Sequence, residues 1–345
     1  MQAGIHGIIL AGAHAWESPA FERSFPRALM PIANRALIDH ALQWFQDGGI
    51  GDVRICANSD TSRIRQHCNQ RDDSSPRISY LDDMMPRGPA GCLFDAAADL
   101  DAATLVVIEA GLIPLGLALN DLVETHLRAG ASMTVAAQRQ FSRQNDADSA
   151  HLTPVGMYAI SRSALAHVPR AGYQDIKEMM IPRMYEAGES VLPYITNAPL
   201  VRIGGTGSCL SGTGELLSYM QTRLALPDGY TRRGTAIVHA GARISPEARL
   251  LGPVMIGEET EVLPGAMILG PAAVGDFCRI GERANISRAV LWDDVEIGPD
   301  AYVDRSILTH STRVRAEGVV SGCVRHASTR PRRGIGVAGS IGGNA

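Results

Sequence analysis

The chain reads as α/β: a domain of alternating strands and helices, followed by a left-handed parallel β-helix. Two observations predict this. First, Val238, Ile244, Leu250, Ile256, Val262, Ile268, Val274, Ile280, Ile286 and Trp292 recur at an unbroken interval of six residues. Neither a helix nor an ordinary strand has that period. A hexapeptide repeat marks a parallel β-helix, in which each hexad forms one short strand and a corner. Gly257, Gly275 and Gly281 follow repeat positions, where glycine relieves crowding or supplies unusual corner angles. The rhythm slips by one at Ile297, resumes at Val303, slips at Leu308 and continues through Val314 to Val320. Second, short apolar runs alternate with helical patterns in the first two thirds. That order argues for a parallel sheet with helices on both faces.

Taken in order, Ile5 to Ala11 is an apolar run entering a Gly-containing turn, which predicts a buried strand. Ile38 to Phe45 has helical spacing and ends at Gly48-Gly49, a good C-cap. Val53 to Ala57 is a second strand, Gly91 to Leu100 a helix, and Thr104 to Ile108 a continuous buried strand. Leu117 to Ala129 is helical and stopped by Gly130; Met133 to Ala137 is another strand. Gly156 to Ile160 and Val191 to Tyr194 are late strands around a helix from Ile176 to Ala187, and Glu215 to Leu226 is a closing helix. The division is 1–226 for the α/β domain, 227–236 for a linker, 237–322 for the β-helix and 323–345 for an unstructured tail. Arg325, Arg330, Arg332 and Arg333 followed by five glycines give that tail its character.

Composition narrows the function. The formal net charge of −4 gives no global field for nucleic acid or an anionic membrane. Lys177 is the only lysine among 32 basic residues, which limits any mechanism needing several lysines. Six cysteines without CxxC spacing read as reduced thiols of a cytoplasmic protein. The N-terminus has no basic n-region and its apolar run ends at Ala13, so neither a signal peptide nor a membrane span is expected.

Several segments carry a resemblance. They are Ile8-Ile9-Leu10-Ala11-Gly12, the stretch from Pro26-Arg27-Ala28-Leu29 to Ala33-Asn34-Arg35, and Gly88-Pro89-Ala90-Gly91. His126, Gly130-Ala131, Thr134, Gly156-Met157-Tyr158, Ile181-Pro182 and Gly205-Thr206 add to them. Over roughly residues 4 to 322 the chain resembles the sugar-1-phosphate nucleotidyltransferases, particularly GDP-mannose pyrophosphorylase-like proteins. The resemblance implies a Rossmann-like nucleotidyltransferase domain ahead of the β-helix. It places a nucleotide at Gly12, Ala13, Gly88, Ala90 and Gly91, with Arg27 as the catalytic basic residue if the protein is active.

In that family a sugar-1-phosphate oxygen attacks the α-phosphorus of an NTP and pyrophosphate leaves. Such transfer relies on charge neutralisation by backbone N–H groups, basic side chains and Mg²⁺. The family loop G-G-x-G-T-R-L aligns without a gap, so Gly12 is kept while Ala13, Ala15, Trp16 and Glu17 replace Gly, Gly, Thr and the phosphate-clamping Arg. A lost charge-assisted hydrogen bond costs about 1.5–3 kcal/mol. A like charge near 4 Å adds repulsion on the order of 4 kcal/mol at an effective dielectric of 20. Arg27 stands for the family Lys, Gly111 for the first metal Asp and Gly204 for the second. The sugar-phosphate Lys has no counterpart between Thr134 and Gly156, and Lys177 reads as a surface residue. Glu109, two residues from the metal position, is the candidate oxygen ligand for Mg²⁺.

These exchanges predict a nucleotidyltransferase-like protein that is inactive or impaired. It would act as a regulatory or assembly subunit, or as a sugar-nucleotide sensor. Its partners would be a nucleotide or sugar nucleotide and either another copy or an active nucleotidyltransferase, with Met255, Met267 and Leu291 as outward contact points. One alternative is an active enzyme using Arg27 and Mg²⁺ on Glu109. Another is acyl transfer, since the β-helix also resembles hexapeptide acyltransferases; His239 and His310 are the candidate bases by location.

Overall fold

The computed structural model describes residues 4–12, 25–58, 61–71, 76–83, 87–141, 150–222 and 225–327. Strand β1 (Ile5–Leu10) is followed by a small hairpin, β2 (Pro31–Ile32) and β3 (Arg35–Ala36), and by helix α1 (Leu37–Asp47). Next come β4 (Asp52–Ala57), α2 (Thr61–Cys68), β5 (Arg77–Asp82), α3 (Gly88–Ala96), β6 (Thr104–Glu109), β7 (Leu112–Pro114) and α4 (Leu119–Ala129). The domain continues with β8 (Met133–Phe141), β9 (Ala150–Ser161), a π-helical turn (Ile176–Met180), α5 (Ile181–Glu186), β10 (Val191–Ile195), β11 (Leu200–Arg202) and α6 (Thr206–Thr222).

The main sheet has the order β10-β8-β9-β6-β1-β4-β5. All neighbours are parallel except β9, which runs antiparallel to β6 and β8. Successive side chains of a strand point to opposite faces, and helices cover both faces here. Ile9, Val106 and Ile108 therefore pack with Ile38, Leu42 and Phe45 on one side. Ile8, Leu105 and Val107 pack with Leu93, Tyr158 and Met180 on the other. That two-sided burial is the physical reason the strands read as continuous apolar runs. Helix α4 ends as expected: Gly130 takes φ +57° and its N–H reaches back to the last turn.

Some expectations need correcting. The sequence pattern does not mark helix α2 and edge strand β5, because α2 buries only Thr61, Ile64 and Cys68 and β5 has no fully buried residue. Helix α6 starts at Thr206, well before Glu215. Its early glycines oppose helix formation but allow close approach: a Cβ on Gly212 would lie 2.5 Å from Val201, and one on Gly214 2.9 Å from Pro271. The expected linker contains a strand, β12 (Tyr230–Arg233), paired antiparallel with β13 (Ala236–His239). It covers the free edge of the first β-helix rung. Order also extends past the expected limit at residue 322, since Val324–Arg325 pairs with Ile307–Leu308. The tail beyond residue 327 lies outside the described residues.

The C-terminal domain is a three-sided stack of parallel ladders. Val238, Ile256, Val274, Leu291 and Leu308 stand in register on one side, all buried. The one-residue slip falls earlier than the spacing suggested: Leu291, not Trp292, pairs with Val274. Leu291 is thus part of the prism core rather than an outward contact. Trp292 instead faces the α/β domain, 4.6 Å between ring centroids from Phe25.

The three outer faces differ. The first, with Ile237, Met255, Ala273, Val290 and Ile307, is buried against Met30, Ile32, Leu37, Leu216 and Leu217 of the α/β domain. Met255, expected to meet another subunit, is therefore an intramolecular contact. Each large side chain so buried contributes about 1.5–3 kcal/mol relative to exposure. The second face stacks Arg243, Glu261, Arg279, Glu296 and Arg313. The third carries half-buried Met267 and exposed Leu251, Leu269, Tyr302 and Val319. Among the described residues no helix is long and apolar enough to cross a membrane.

Candidate functional site

The carboxyl ends of parallel strands are where an open α/β sheet presents ligand-binding groups. Gly12 follows β1 there, beside Asn58 at the end of β4. Ala13, Ala15, Trp16 and Glu17 lie outside the described residues. Arg27 opens a short 3-10 turn, Arg27–Leu29, and its side chain lies over Gly111. A Cβ at Gly111 would be 3.9 Å from an Arg27 guanidinium nitrogen and 3.2 Å from the Ile203 carbonyl oxygen. The Pro31–Ala36 hairpin downstream turns on Ala33 and Asn34, both with positive φ. The Asn34 side-chain amide donates to the Val274 carbonyl at 2.7 Å and ties this stretch to the β-helix.

Glu109 ends β6 and is buried. Its Oε2 accepts from Arg202 Nη1 at 2.7 Å, and its Oε1 lies 3.8 Å from Lys177 Nζ. Arg202 also donates to the Val155 carbonyl at 2.9 Å. Gly156, at φ +86°, makes this packing possible, because a Cβ there would come within 2.7–2.9 Å of the Glu109 carboxylate atoms. Behind it Tyr158 is fully buried; burial, then the Glu109 charge, pushes its phenol pKa well up and keeps it neutral. Gly204 and Gly205, between β11 and α6, give their N–H groups to Ser208 Oγ, each at 2.9 Å.

The glycine-rich stretch at the start of α3 is closed over by the chain itself. Gly88, Ala90 and Gly91 are buried. The Ala90 N–H donates to the Gln174 carbonyl at 3.0 Å. A Cβ on Gly88 would lie 2.5 Å from that same carbonyl oxygen, and one on Gly91 2.6 Å from Arg87 Cβ. Their small size is explained by packing against residues 173–174 and Arg87.

Two side chains at the strand ends are placed differently from what the sequence suggests. Lys177 is no mere surface residue: the π-helical turn, capped by Asp175 Oδ1 accepting from the Lys177 and Glu178 N–H groups, points it at Glu109. Its status as the only lysine was the available signal. Arg202 sits just before Gly204-Gly205, but its partner is 93 positions away.

The donor set among the described residues does not fit a divalent cation. Gly111 and Gly204 offer no side-chain oxygen, and both Glu109 oxygens face cations. Among the described residues no group of three or more His, Cys, Asp and Glu could hold a metal. Glu109, expected to recruit Mg²⁺, is instead the counterion of Arg202 and Lys177. The two β-helix histidines are packing residues: His239 lies against Tyr230, and His310 lies against Trp292 and 3.6 Å from Asp293. His126 is buried, with ring nitrogens 3.1 Å from Thr134 Oγ1 and 3.2 Å from Ser161 Oγ.

The fold and these strand ends define a class, that of sugar-1-phosphate nucleotidyltransferase-like proteins. No family model matches the chain. Mannose-1-phosphate guanylyltransferase of Mycobacterium tuberculosis is 21% identical over 278 residues, covering 75% of this chain and 76% of that protein. A putative mannose-1-phosphate guanyltransferase of Sulfolobus acidocaldarius is 20% identical over 276 residues, covering 75% and 72%. Among solved structures, HddC from Yersinia pseudotuberculosis complexed with GMP-PN superposes with TM-score 0.52 at 12% identity, over 61% of this chain and 99% of that one. A putative glucose-1-phosphate thymidylyltransferase from Bacillus anthracis gives 0.54 at 15%, over 65% and 98%. The chain is thus similar in sequence to mannose-1-phosphate guanylyltransferases and in fold to solved structures such as that putative glucose-1-phosphate thymidylyltransferase.

Proposed function

We propose that this protein serves sugar-nucleotide metabolism with little or no nucleotidyl transfer of its own. It acts as a regulatory or assembly subunit, paired with another copy or with an active nucleotidyltransferase, or as a sensor of a sugar nucleotide. One observation carries the reading: Arg27 overlies Gly111, where the family's metal carboxylate would stand, and the nearby Glu109 is spent on Arg202 and Lys177. The six free cysteines, five of them buried, support a reducing cytoplasmic setting. The relatives' names make GDP-mannose the first ligand to try.

Pyrophosphorolysis tests the reading. The purified protein is incubated with a panel of NDP-sugars, pyrophosphate and Mg²⁺, and NTP is sought by mass spectrometry. No NTP beside a working positive control is the expected result. NTP formed at an ordinary enzymatic rate, and lost in Arg27→Ala, would overturn it in favour of an active enzyme that uses Arg27 on phosphate. The position of Arg27 at the strand ends is what favours that second reading.

A further inference from the structure

We infer that the protein's own cations stand in for a divalent ion, so that the strand-end site holds a diphosphate-bearing ligand without Mg²⁺. This rests on the reading of the site as a retained ligand site. Glu109 is buried and draws Arg202 and Lys177 together from two different elements. Those two side chains are themselves 49% and 38% exposed. Arg202 commits Nη1 to Glu109 and Nη2 to the Val155 carbonyl. A guanidinium has five N–H donors and an ammonium three, so the pair keeps donors for an anion. Arg27 lies over Gly111, two positions along the chain from Glu109.

Among the described residues, Glu109 and Asp175 are the carboxylates whose charges act on Tyr158 beside this pair. Asp175 spends one oxygen capping the π-helical turn. Tyr158 stays neutral. Arg202 and Lys177 thus share one carboxylate, Glu109, among the described residues. An arriving Mg²⁺ would meet like charge and few free oxygens, whereas a diphosphate would meet charge-assisted donors. Gly111 and Gly204 place no side chain in its way. Glu109 is thus a positioning residue: it holds the two cations at a spacing that they would not keep by themselves.

The test is isothermal titration of the full chain with inorganic pyrophosphate and with GDP-mannose, in EDTA and in Mg²⁺. At least one probe should bind in EDTA with a Kd within about fivefold of that in Mg²⁺. Lys177→Gln should weaken binding about tenfold or more, as expected for loss of one charge-assisted contact, and Lys177→Arg should retain most of it. Binding that needs Mg²⁺, binding by neither probe, or a Lys177→Gln protein that binds as tightly as the parent would each overturn the inference. Turnover with Mg²⁺-free binding would end the inactive reading and leave this inference standing. Mg²⁺-dependent binding without turnover would do the reverse.

Discussion

Arginine meets glutamate in two settings here. On the second face of the β-helix, Arg279 contacts Glu261 at 2.6 Å and Arg313 contacts Glu296 at 3.4 Å. In both pairs the two side chains are at least 32% exposed. At the end of β6, Glu109 meets Arg202 at a similar 2.7 Å, but the Glu109 side chain is only 9% exposed. Arg279 and Arg202 hold their glutamates at nearly the same distance, but not in the same solvent. Exposed pairs contribute about 0–1 kcal/mol because water screens them. A buried carboxylate that loses its partner is left with an uncompensated charge, which costs about 3–5 kcal/mol. The first arrangement decorates a surface, and the second organises a site.

The sharpest way to break this contrast is Arg202→Leu. Since Arg202 is half exposed, we expect a loss of about 2–3 kcal/mol, below the range for a fully buried pair. Urea unfolding would measure it, and a change under 0.5 kcal/mol would erase the distinction between the two settings. Gly156→Ala comes next. It forces an L-residue to φ +86° and pushes a methyl against the Glu109 carboxylate, so about 1–2 kcal/mol should be lost. A neutral result would mean that Glu109 has room to move and does not hold its cations rigidly.

Burial also sets a pH response. Burial pushes the pKa of His40 from 6.5 down to about 4 and lowers that of His126. The unfolded chain then takes up protons that the folded chain refuses. Stability is full above about pH 6.5 and falls as the pH drops through 6.5 towards 4. Melting temperatures between pH 7.5 and 5 should fall by several degrees, and His126→Asn should flatten the slope; a flat parent profile would count against the buried-neutral histidines. The smallest effect belongs to the surface: Glu261→Ala should change stability by no more than about 0.5 kcal/mol, less still in 0.5 M salt. A loss as large as that of Arg202→Leu would show that exposure does not separate the two settings.

The legibility of the chain follows from the same physics. The hexad repeat named most inward residues of the β-helix, because every coil obeys the same local rule. It misassigned Leu291 and Trp292, because a single-residue deletion in a coil changes which of two adjacent apolar residues turns inward. Met255 reads as a subunit contact, because sequence shows that an outward residue is apolar but not what covers it. The triplets Ala236-Ile237-Val238, Val254-Met255-Ile256 and Ala272-Ala273-Val274 carried the missed signal, since a strand apolar at every position is buried on both faces. In the site, Gly111 and Gly204 were readable as lost carboxylates from the family resemblance. Lys177 as a partner of Glu109 was not.

The sequence by itself determined the two-domain plan, the coil repeat of the β-helix and the buried central strands, because period and hydrophobic pattern act on neighbours along the chain. It also determined which side chains the strand ends could not supply. Only the tertiary structure decided that Glu109, Lys177 and Arg202 converge and that Arg27 overlies Gly111, that residues 173–174 cover the glycines of α3, and that one β-helix face is spent on the α/β domain. Those outcomes depend on which distant surfaces share a desolvated space, and no local rule along the chain encodes that.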